Sequence, residues 1–305
     1  MRIRAFEVEP PEPPLRSPHC VAMLRPWVNV GNVGALVLRR LGEMFGTSEI
    51  GRLARPSEFY DYTRYRPQMT LSGDERVVTV PTTLLYAARR ESPPDLLLLH
   101  MLEPHARAED FNDSVIDLLR HFGVSRWVLV GGMYDSVPHT RPLWVTGSAR
   151  GWDAPFEPGG VRLRRGNYQG PTSLTSNLSQ RAHDEEGLET LSLIVHLPLY
   201  LRLDDDYQGA ARLLRALAPV YDLADRLPED TLGEQQYAQV TPALAANPQL
   251  AQFVERLEHE YERRSAGEDT APGGRVDLPE DIERFLRELE GRSGGDRPGP
   301  PPGRI

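Results

Sequence analysis

The sequence predicts an α/β protein of three layers, with a mixed, mostly parallel sheet and a helical C-terminal region. Short apolar runs alternate with segments of helical periodicity up to about residue 203. Residues 95–101, 110–122 and 127–130 have the patterns of a strand, a helix and a strand, which makes the two strands parallel. Beyond residue 203 amphipathic helical segments follow, so we assign residues 204–264 to a helical region.

The first 18 residues are predicted to form a disordered arm, because they are rich in proline, which prevents regular strand pairing. The α/β core is assigned to residues 19–203. Its first strand leads into a glycine loop and then a helix that ends near Gly46; the loop is Asn29-Val30-Gly31-Asn32-Val33-Gly34. Such a junction aims free backbone N–H groups at an anion. Its glycines equally suit a tight turn and close packing of the helix on the sheet, and both interpretations stay open.

The next segments are rich in aromatic and β-branched residues. Residues 57–67 mix aromatic side chains with arginines, a pattern that suits either base stacking or a half-buried strand. The acidic total favours the strand. Residues 68–71 and 76–80, separated by Ser72-Gly73-Asp74-Glu75, predict a β-hairpin, which we place at the antiparallel margin of the sheet.

Polar side chains follow the ends of several predicted strands. The carboxyl ends of parallel strands meet at one edge of a sheet, which is where such folds place their ligand site. We therefore expect a ligand pocket there, with the candidate residues Asn29, Gly31, Asn32, Gly34, Glu103, Asp135, His139, Thr140, Arg141, Gly170, Thr172 and His196. A carboxylate, an imidazole and a guanidinium in one place can bind an anion and transfer a proton. An Asp–Arg pair across a turn is also a common structural tie, so no residue is assigned a catalytic role.

The helical region begins at an acidic triplet, Asp204-Asp205-Asp206, that can cap a helix. Residues 249–264 place an apolar stripe on one face of a second helix, for packing on the body more than for binding a partner. Residues 265–305 are predicted to hold a linker, a short amphipathic helix at 278–290 and a disordered tail. The pattern does not say whether that short helix docks on its own chain or on a partner.

Composition excludes several classes of function. All 35 basic residues are arginine, so sites that need a lysine ammonium group, such as a Walker P-loop or a pyridoxal phosphate Schiff base, are absent. A net charge of −9 argues against a general nucleic-acid or membrane-surface binder. One cysteine, no apolar run long enough for a membrane span and an acidic, proline-rich start predict a cytoplasmic protein. No motif indicates a metal or a cofactor.

Several separate motifs, in order along the chain, resemble the PAC2 family of proteasome-assembly-chaperone-like proteins across roughly residues 20–262. They are Gly31-Asn32-Val33-Gly34, Glu58-Phe59-Tyr60-Asp61-Tyr62 with Arg66-Pro67, Gly131-Gly132, Val137-Pro138-His139-Thr140-Arg141-Pro142, Val145-Thr146-Gly147, Tyr168-Gln169-Gly170-Pro171-Thr172 and His196-Leu197-Pro198. The resemblance implies an α/β core similar to nucleoside phosphorylases, a helical C-terminal region and self-association, with a trimer as one option. Eukaryotic relatives help to assemble proteasome α-rings.

Two functions are therefore carried forward. The leading one is a PAC2-like assembly chaperone or interaction protein, self-associating and with a proteasome-related or other protein partner. The alternative is a phosphate- or nucleoside-handling enzyme, phosphorylase-like or hydrolase-like, that uses the pocket at the strand ends.

Overall fold

The structure, a computed structural model, describes residues 1–73, 75–153, 156, 162–163 and 173–266. The strands are β1 Arg2–Ile3, β2 Phe6–Val8, β3 His19–Arg25, β4 Ser48–Leu53, β5 Gln68–Ser72, β6 Glu75–Thr79, β7 Leu84–Ala88, β8 Leu96–Leu102, β9 Arg126–Asp135, β10 Val145–Arg150, β11 Arg162–Leu163 and β12 Glu189–Pro198. The α-helices are α1 Val33–Phe45, α2 Ala108–His121, α3 Leu174–Asp184, α4 Tyr207–Tyr221, α5 Pro228–Ala245 and α6 Pro248–Ala266.

Ten of these strands form one mixed sheet, in the order β1-β2-β4-β7-β8-β3-β9-β12-β10-β11. The four central strands, β8, β3, β9 and β12, run parallel, with Val21 of β3 between Leu98 of β8 and Val128 of β9. Antiparallel pairings continue from β8 towards β1 and from β12 to β10. The predicted mixed sheet is confirmed. The predicted β-α-β unit is β8–α2–β9, with β3 inserted between its two parallel strands.

Side chains of the central strands alternate between two faces, as the period of a strand requires. In β3, Val21 and Met23 pack with α1 and α4, whereas Cys20 and Ala22 pack on the opposite face with α2. Helices α1, α4, α5 and α6 cover the first face, and α2 and α3 cover the second. Strands β3, β8 and β9 are buried on both faces, which explains their nearly continuous apolar sequences, whereas β12 is fully buried mainly on the first face. The three-layer α/β architecture is confirmed.

The N-terminal arm differs from its prediction as a disordered segment. Strand β2 pairs with β4, and β1 folds back on β2, so that residues 2–8 extend the sheet. Phe6 and Val8 are buried while Glu7 between them is exposed. Burial of these two apolar side chains stabilises the pairing. The proline-rich character applies only to the residues after β2.

The segment between β4 and β7 also differs from its prediction. Residues 57–67 form turns and a short 3-10 helix in place of a strand, and Asp61 stabilises one turn by accepting hydrogen bonds from Thr63. The predicted hairpin exists as β5–β6, but it forms a separate two-stranded sheet. Strand β4 pairs directly with β7, so the hairpin takes no place in the large sheet. It lies within the connection between these two strands.

Three helices follow the last strand, as the helical C-terminal prediction requires. Helix α4 begins at the predicted cap: the side chain of Asp206 accepts a hydrogen bond from the Gly209 amide, at 2.8 Å. Helix α6 buries Leu250, Phe253 and Leu257 against the rest of the first face. The predicted helix at 278–290 and the predicted tail lie outside the described residues.

Candidate functional site

The glycine loop lies at the carboxyl edge of the central strands, where Asn29 forms a β-bridge with Gly132 of β9. The Asn29 side-chain oxygen accepts hydrogen bonds from the amides of Gly34, at 2.9 Å, and Ala35, at 3.3 Å. These are amides of the first turn of α1, the groups that a bound anion would use. The chain therefore satisfies both of them itself. Binding of an anion at this loop stays a prediction.

Two glycines of the loop are required by close packing. Gly31 has φ of +59°, and a Cβ there would lie 2.7 Å from the Asp206 Cβ and 2.9 Å from Leu197 Cδ1. A Cβ on Gly34 would lie 2.9 Å from the Cβ of Met23 and also 2.9 Å from the Asn29 oxygen. Any larger residue displaces these neighbours. These contacts favour the structural interpretation of the glycines.

The start of α4 covers this loop. Asn32 donates a hydrogen bond to the Asp205 carboxylate, at 2.8 Å, and the Asp206 amide donates to the Gly31 carbonyl, also at 2.8 Å. The Asp206 side chain is only 1% exposed, and its second oxygen accepts a hydrogen bond from the Tyr237 hydroxyl at 2.9 Å. Burial raises the pKa of Asp206, and the hydrogen bonds from Gly209 and Tyr237 partly offset this effect. The sequence marked Asp206 only as a helix cap.

Asp135 and His196 form the second part of the site, at the ends of β9 and β12. The His196 Nδ1 lies 2.8 Å from the Asp135 carboxylate, and its Nε2 lies 2.8 Å from the Thr146 hydroxyl. Arg264, near the end of α6, brings a guanidinium nitrogen to 3.6 Å from the same carboxylate. Burial alone would raise the pKa of Asp135, but His196 and Arg264 hold that pKa below its usual value. The candidate set missed Thr146 and Arg264, and no spacing in the sequence links them to Asp135.

His139, Thr140 and Arg141 form the third part, and residues of α5 and α6 contact all three. The His139 Nδ1 lies 2.7 Å from the Tyr200 hydroxyl, and burial lowers the pKa of its imidazole. Thr140 donates a hydrogen bond to Glu258. Arg141 pairs with Glu258 at 3.1 Å and Glu262 at 2.9 Å, and these carboxylates raise the pKa of its guanidinium. These side chains are engaged by the chain's own helices.

Tyr237 connects the first and third parts. Its hydroxyl contacts Asp206, which lies against Gly31, and its ring centroid is 6.3 Å from that of His139. Candidate residues from distant parts of the sequence therefore do gather on one side of the molecule. We call this gathering the rim, made of Asn29, Gly31, Asn32, Gly34, Asp135, His139, Thr140, Arg141 and His196.

Glu103 belongs to a different feature of the same edge. It lines a groove of about 850 Å³ whose other walls are formed mainly by the turns of residues 57–65 and by His105. The Tyr65 hydroxyl donates a hydrogen bond to the Glu103 carbonyl at 3.2 Å. This groove lies beside α2, on the second face of the sheet. The candidates Gly170 and Thr172 lie outside the described residues.

One arrangement at the rim is suited to proton transfer. It is the chain of hydrogen bonds from Asp135 through His196 to Thr146. A carboxylate behind an imidazole orients it to accept a proton from a hydroxyl.

Across the described part of the chain, no three His, Cys, Asp or Glu side chains are placed to hold a metal ion. Among the helices of that part, none combines the length and apolar character needed to cross a membrane.

A sequence model of the PAC2 family matches residues 23–239. The fold is similar to a protein of unknown function from Mycobacterium tuberculosis, at 26% identity and a TM-score of 0.70, over 96% of this chain and 93% of that one. A PAC2 family protein from Streptomyces avermitilis has 25% identity and a TM-score of 0.68, over 78% and 99% of the two chains.

A proteasome-assembly chaperone homologue from Mycobacterium tuberculosis has 22% identity and a TM-score of 0.66, over 77% of this chain and 99% of that one. At that identity the similarity establishes a shared fold. No curated protein is significantly similar to the chain in sequence.

Proposed function

This chain belongs to the PAC2 family, and we propose that it is an assembly chaperone of the PAC2 type, which acts by binding other proteins and copies of itself. The family match spans most of the chain. A similar fold occurs in a proteasome-assembly chaperone homologue, so we include a proteasome-related client among its partners. The single cysteine fits work in the cytoplasm.

The observation that carries this proposal is the closure of the rim by the chain's own helices. Asp205 and Asp206 cover the glycine loop, and Glu258 and Glu262 pair with Arg141. A group that already has a partner is not free to bind a substrate unless that partner moves. The polar residues thus support a rigid scaffold for recognition at other surfaces.

The test is an assay of association with the full chain. We expect native mass spectrometry to give a multiple of 34.3 kDa, and the tagged chain to retain a defined protein from an extract of its own cells. The tag alone, on the same resin, controls for nonspecific capture. A chain that stays monomeric at tens of micromolar and captures nothing above that control contradicts the proposal.

The second candidate is a phosphate- or nucleoside-handling enzyme. The specific observation in its favour is His196, held between Asp135 and Thr146 at 2.8 Å on each side. Thermal-shift measurements with phosphate, nucleosides and nucleotides separate the two candidates. The enzyme requires a ligand shift that Asn32→Ala and Arg141→Gln abolish and that Thr79→Ala, an exposed control, preserves. No shift, or one that survives both rim substitutions, counts against it.

A further inference from the structure

A hydroxyl, an imidazole and a carboxylate form an unbroken row near the carboxyl edge of the sheet. His196 joins Thr146 to Asp135, at 2.8 Å on each side. Val145 and Val195 pack on the first face. Thr146 and His196, which follow them, point to the second face because side chains alternate along a strand. The row therefore lies on the face opposite to helices α4, α5 and α6, which close the rest of the rim.

The second face is open to solvent beside the row. Met133 lies opposite His196 in the pairing of β9 with β12, and it is 44% exposed. Ser148, two residues after Thr146 on the same face of β10, is exposed as well. Helices α2 and α3 pack on this face nearer the amino ends of the strands. The half-buried Thr146 hydroxyl is therefore within reach of a small reactant on this face.

The carboxylate determines which nitrogen of His196 carries the proton. Burial raises the pKa of Asp135, but His196 and Arg264 hold that pKa below its usual value, so the carboxylate is ionised. An ionised carboxylate only accepts hydrogen bonds, so the Nδ1 of His196 is the N–H that donates to it. The neutral imidazole then has its lone pair at Nε2, and the Thr146 hydroxyl donates to that nitrogen. This is the arrangement in which an imidazole takes the proton of an attacking hydroxyl.

We propose that Thr146 is a nucleophile for acyl transfer, with His196 as its general base and Asp135 as a positioning residue. An ester suits the row, because the guanidinium of Arg264 is paired with Asp135 and is not left to bind the charged oxygens of a phosphoryl group. This inference goes beyond the proposed assembly function and does not depend on it.

The reaction has two steps. The Thr146 Oγ1 attacks the carbonyl carbon of the ester, and its proton passes to the Nε2 of His196. An O–C bond to Thr146 forms, the bond from that carbon to the leaving oxygen breaks, and the leaving oxygen takes the proton from Nε2. Water then attacks the acyl group with His196 again as the base, which releases the acid and restores the hydroxyl.

The experiment uses p-nitrophenyl acetate, a neutral ester whose released nitrophenolate is measured by absorbance. The chain has no lysine and its single cysteine, Cys20, is fully buried, so the side chains that this ester commonly labels are missing or shielded. We expect the full chain to gain one acetyl group, and peptide mapping to place it on Thr146. Thr146→Ser should keep the label. Thr146→Ala should lower the rate of acylation about a hundredfold.

Ser148→Ala is the matched control. Ser148 is a hydroxyl on the same face of β10, but it lies opposite Ser192 and not beside the imidazole. This variant should react like the unmodified chain. His196→Ala should lose as much acylation as Thr146→Ala, and free imidazole should restore part of it, which a merely structural role of His196 would not allow. Circular dichroism and the unfolding midpoint establish that each variant is folded.

Three results overturn the inference. The first is an acetyl group on another residue, or a rate that is the same in Thr146→Ala and in the unmodified chain. The second is an equal loss in Ser148→Ala and Thr146→Ala. The third is hydrolysis that survives Thr146→Ala but not His196→Ala, since the imidazole then attacks the ester itself. None of these results changes the outcome of the association assay, so the proposed assembly function is tested separately.

Discussion

The rim and the hairpin lie at the same edge of the sheet but differ in where their side chains find partners. Asp135, Arg141 and Asp206 are each held by groups from another part of this chain. Leu71 and Val78 of the hairpin are exposed, although they are apolar. The ionisable side chains of the rim are thus paired within the chain, whereas the apolar side chains of the hairpin are exposed.

This contrast shows that residue type alone does not reveal which side chains are already paired. Polar residues at strand ends suggested a ligand pocket, but the helices after residue 204 supply partners for many of them. The hairpin looked like an ordinary sheet margin, but β4 and β7 pair without it. We expect substitutions of the buried rim residues to change the stability of the chain, and substitutions of exposed hairpin residues to change it much less.

The largest expected effect is on stability, from Gly131→Ala beside the glycine loop. A Cβ at this position would clash with the Val28 carbonyl, which is held by the Gly132 amide. We expect a loss of about 3 kcal/mol in the free energy of unfolding, measured by urea titration. Gly73→Ala in the hairpin turn is the control. Gly73 has φ of +64°, and apart from its neighbours in the chain no atom lies within 4 Å of an added Cβ. The substitution is therefore expected to lower the free energy of unfolding by about 1 kcal/mol, through backbone strain alone.

The next effect concerns the buried carboxylate of the rim. Tyr237→Phe removes the hydroxyl that donates to Asp206, and we expect a loss of about 1–3 kcal/mol because a buried oxygen loses its partner. Tyr261→Phe removes an exposed hydroxyl that donates to the Pro142 carbonyl. That loss should be smaller, about 0.5 kcal/mol, since water can replace the hydroxyl. Equal losses of stability in Tyr237→Phe and Tyr261→Phe would mean that the buried hydrogen bond stabilises the chain no more than the exposed one.

A smaller, pH-dependent effect separates the two carboxylates of the rim. The raised pKa of Asp206 means that its stabilising contribution is present below the usual value of 3.8 and is lost as the pH rises through its folded pKa. The lowered pKa of Asp135 means the reverse, a contribution present above 3.8 and lost as the pH falls through its folded pKa.

Urea titrations between pH 3 and 7 therefore should give opposite slopes when the unmodified chain is compared with Asp206→Asn and with Asp135→Asn. Slopes of the same sign would show that at least one of the two environments is misassigned.

The smallest effect is expected from Arg141→Gln. Its pairs with Glu258 and Glu262 are partly exposed, and ion pairs that water can reach contribute little. The unfolding midpoint should change by little more than the error of measurement. Leu257→Ala, on the buried side of the same helix, is the comparison and should lower the midpoint clearly. A large loss from Arg141→Gln would mean that charge, and not apolar packing, holds α6 in place.

Local patterns were sufficient for most elements of the fold. The run at β9 and the periodicity of α2 each depend on neighbouring residues, and both appear where they were expected. The arm was misjudged because two apolar residues, Phe6 and Val8, outweigh the prolines that follow them. The segment of residues 57–67 was misjudged because the Asp61 side chain stabilises a turn, which aromatic alternation does not reveal.

The candidate site was predictable only in part. That Asn32, Asp135 and His139 lie at one edge follows from strand direction, which sequence periodicity encodes. That Asp205 contacts Asn32, Glu258 contacts Arg141 and Arg264 contacts Asp135 does not follow from it. These contacts join positions more than a hundred residues apart along the chain.

The sequence by itself determined the alternation of strands and helices, the absence of lysine chemistry and the family to which the chain belongs. The tertiary structure alone decided which polar groups are already paired and which apolar side chains remain exposed. The physical reason is the distance along the chain over which each kind of interaction acts. Periodicity and propensity act over a few neighbouring residues, whereas burial and hydrogen bonding depend on which distant segment packs on each surface.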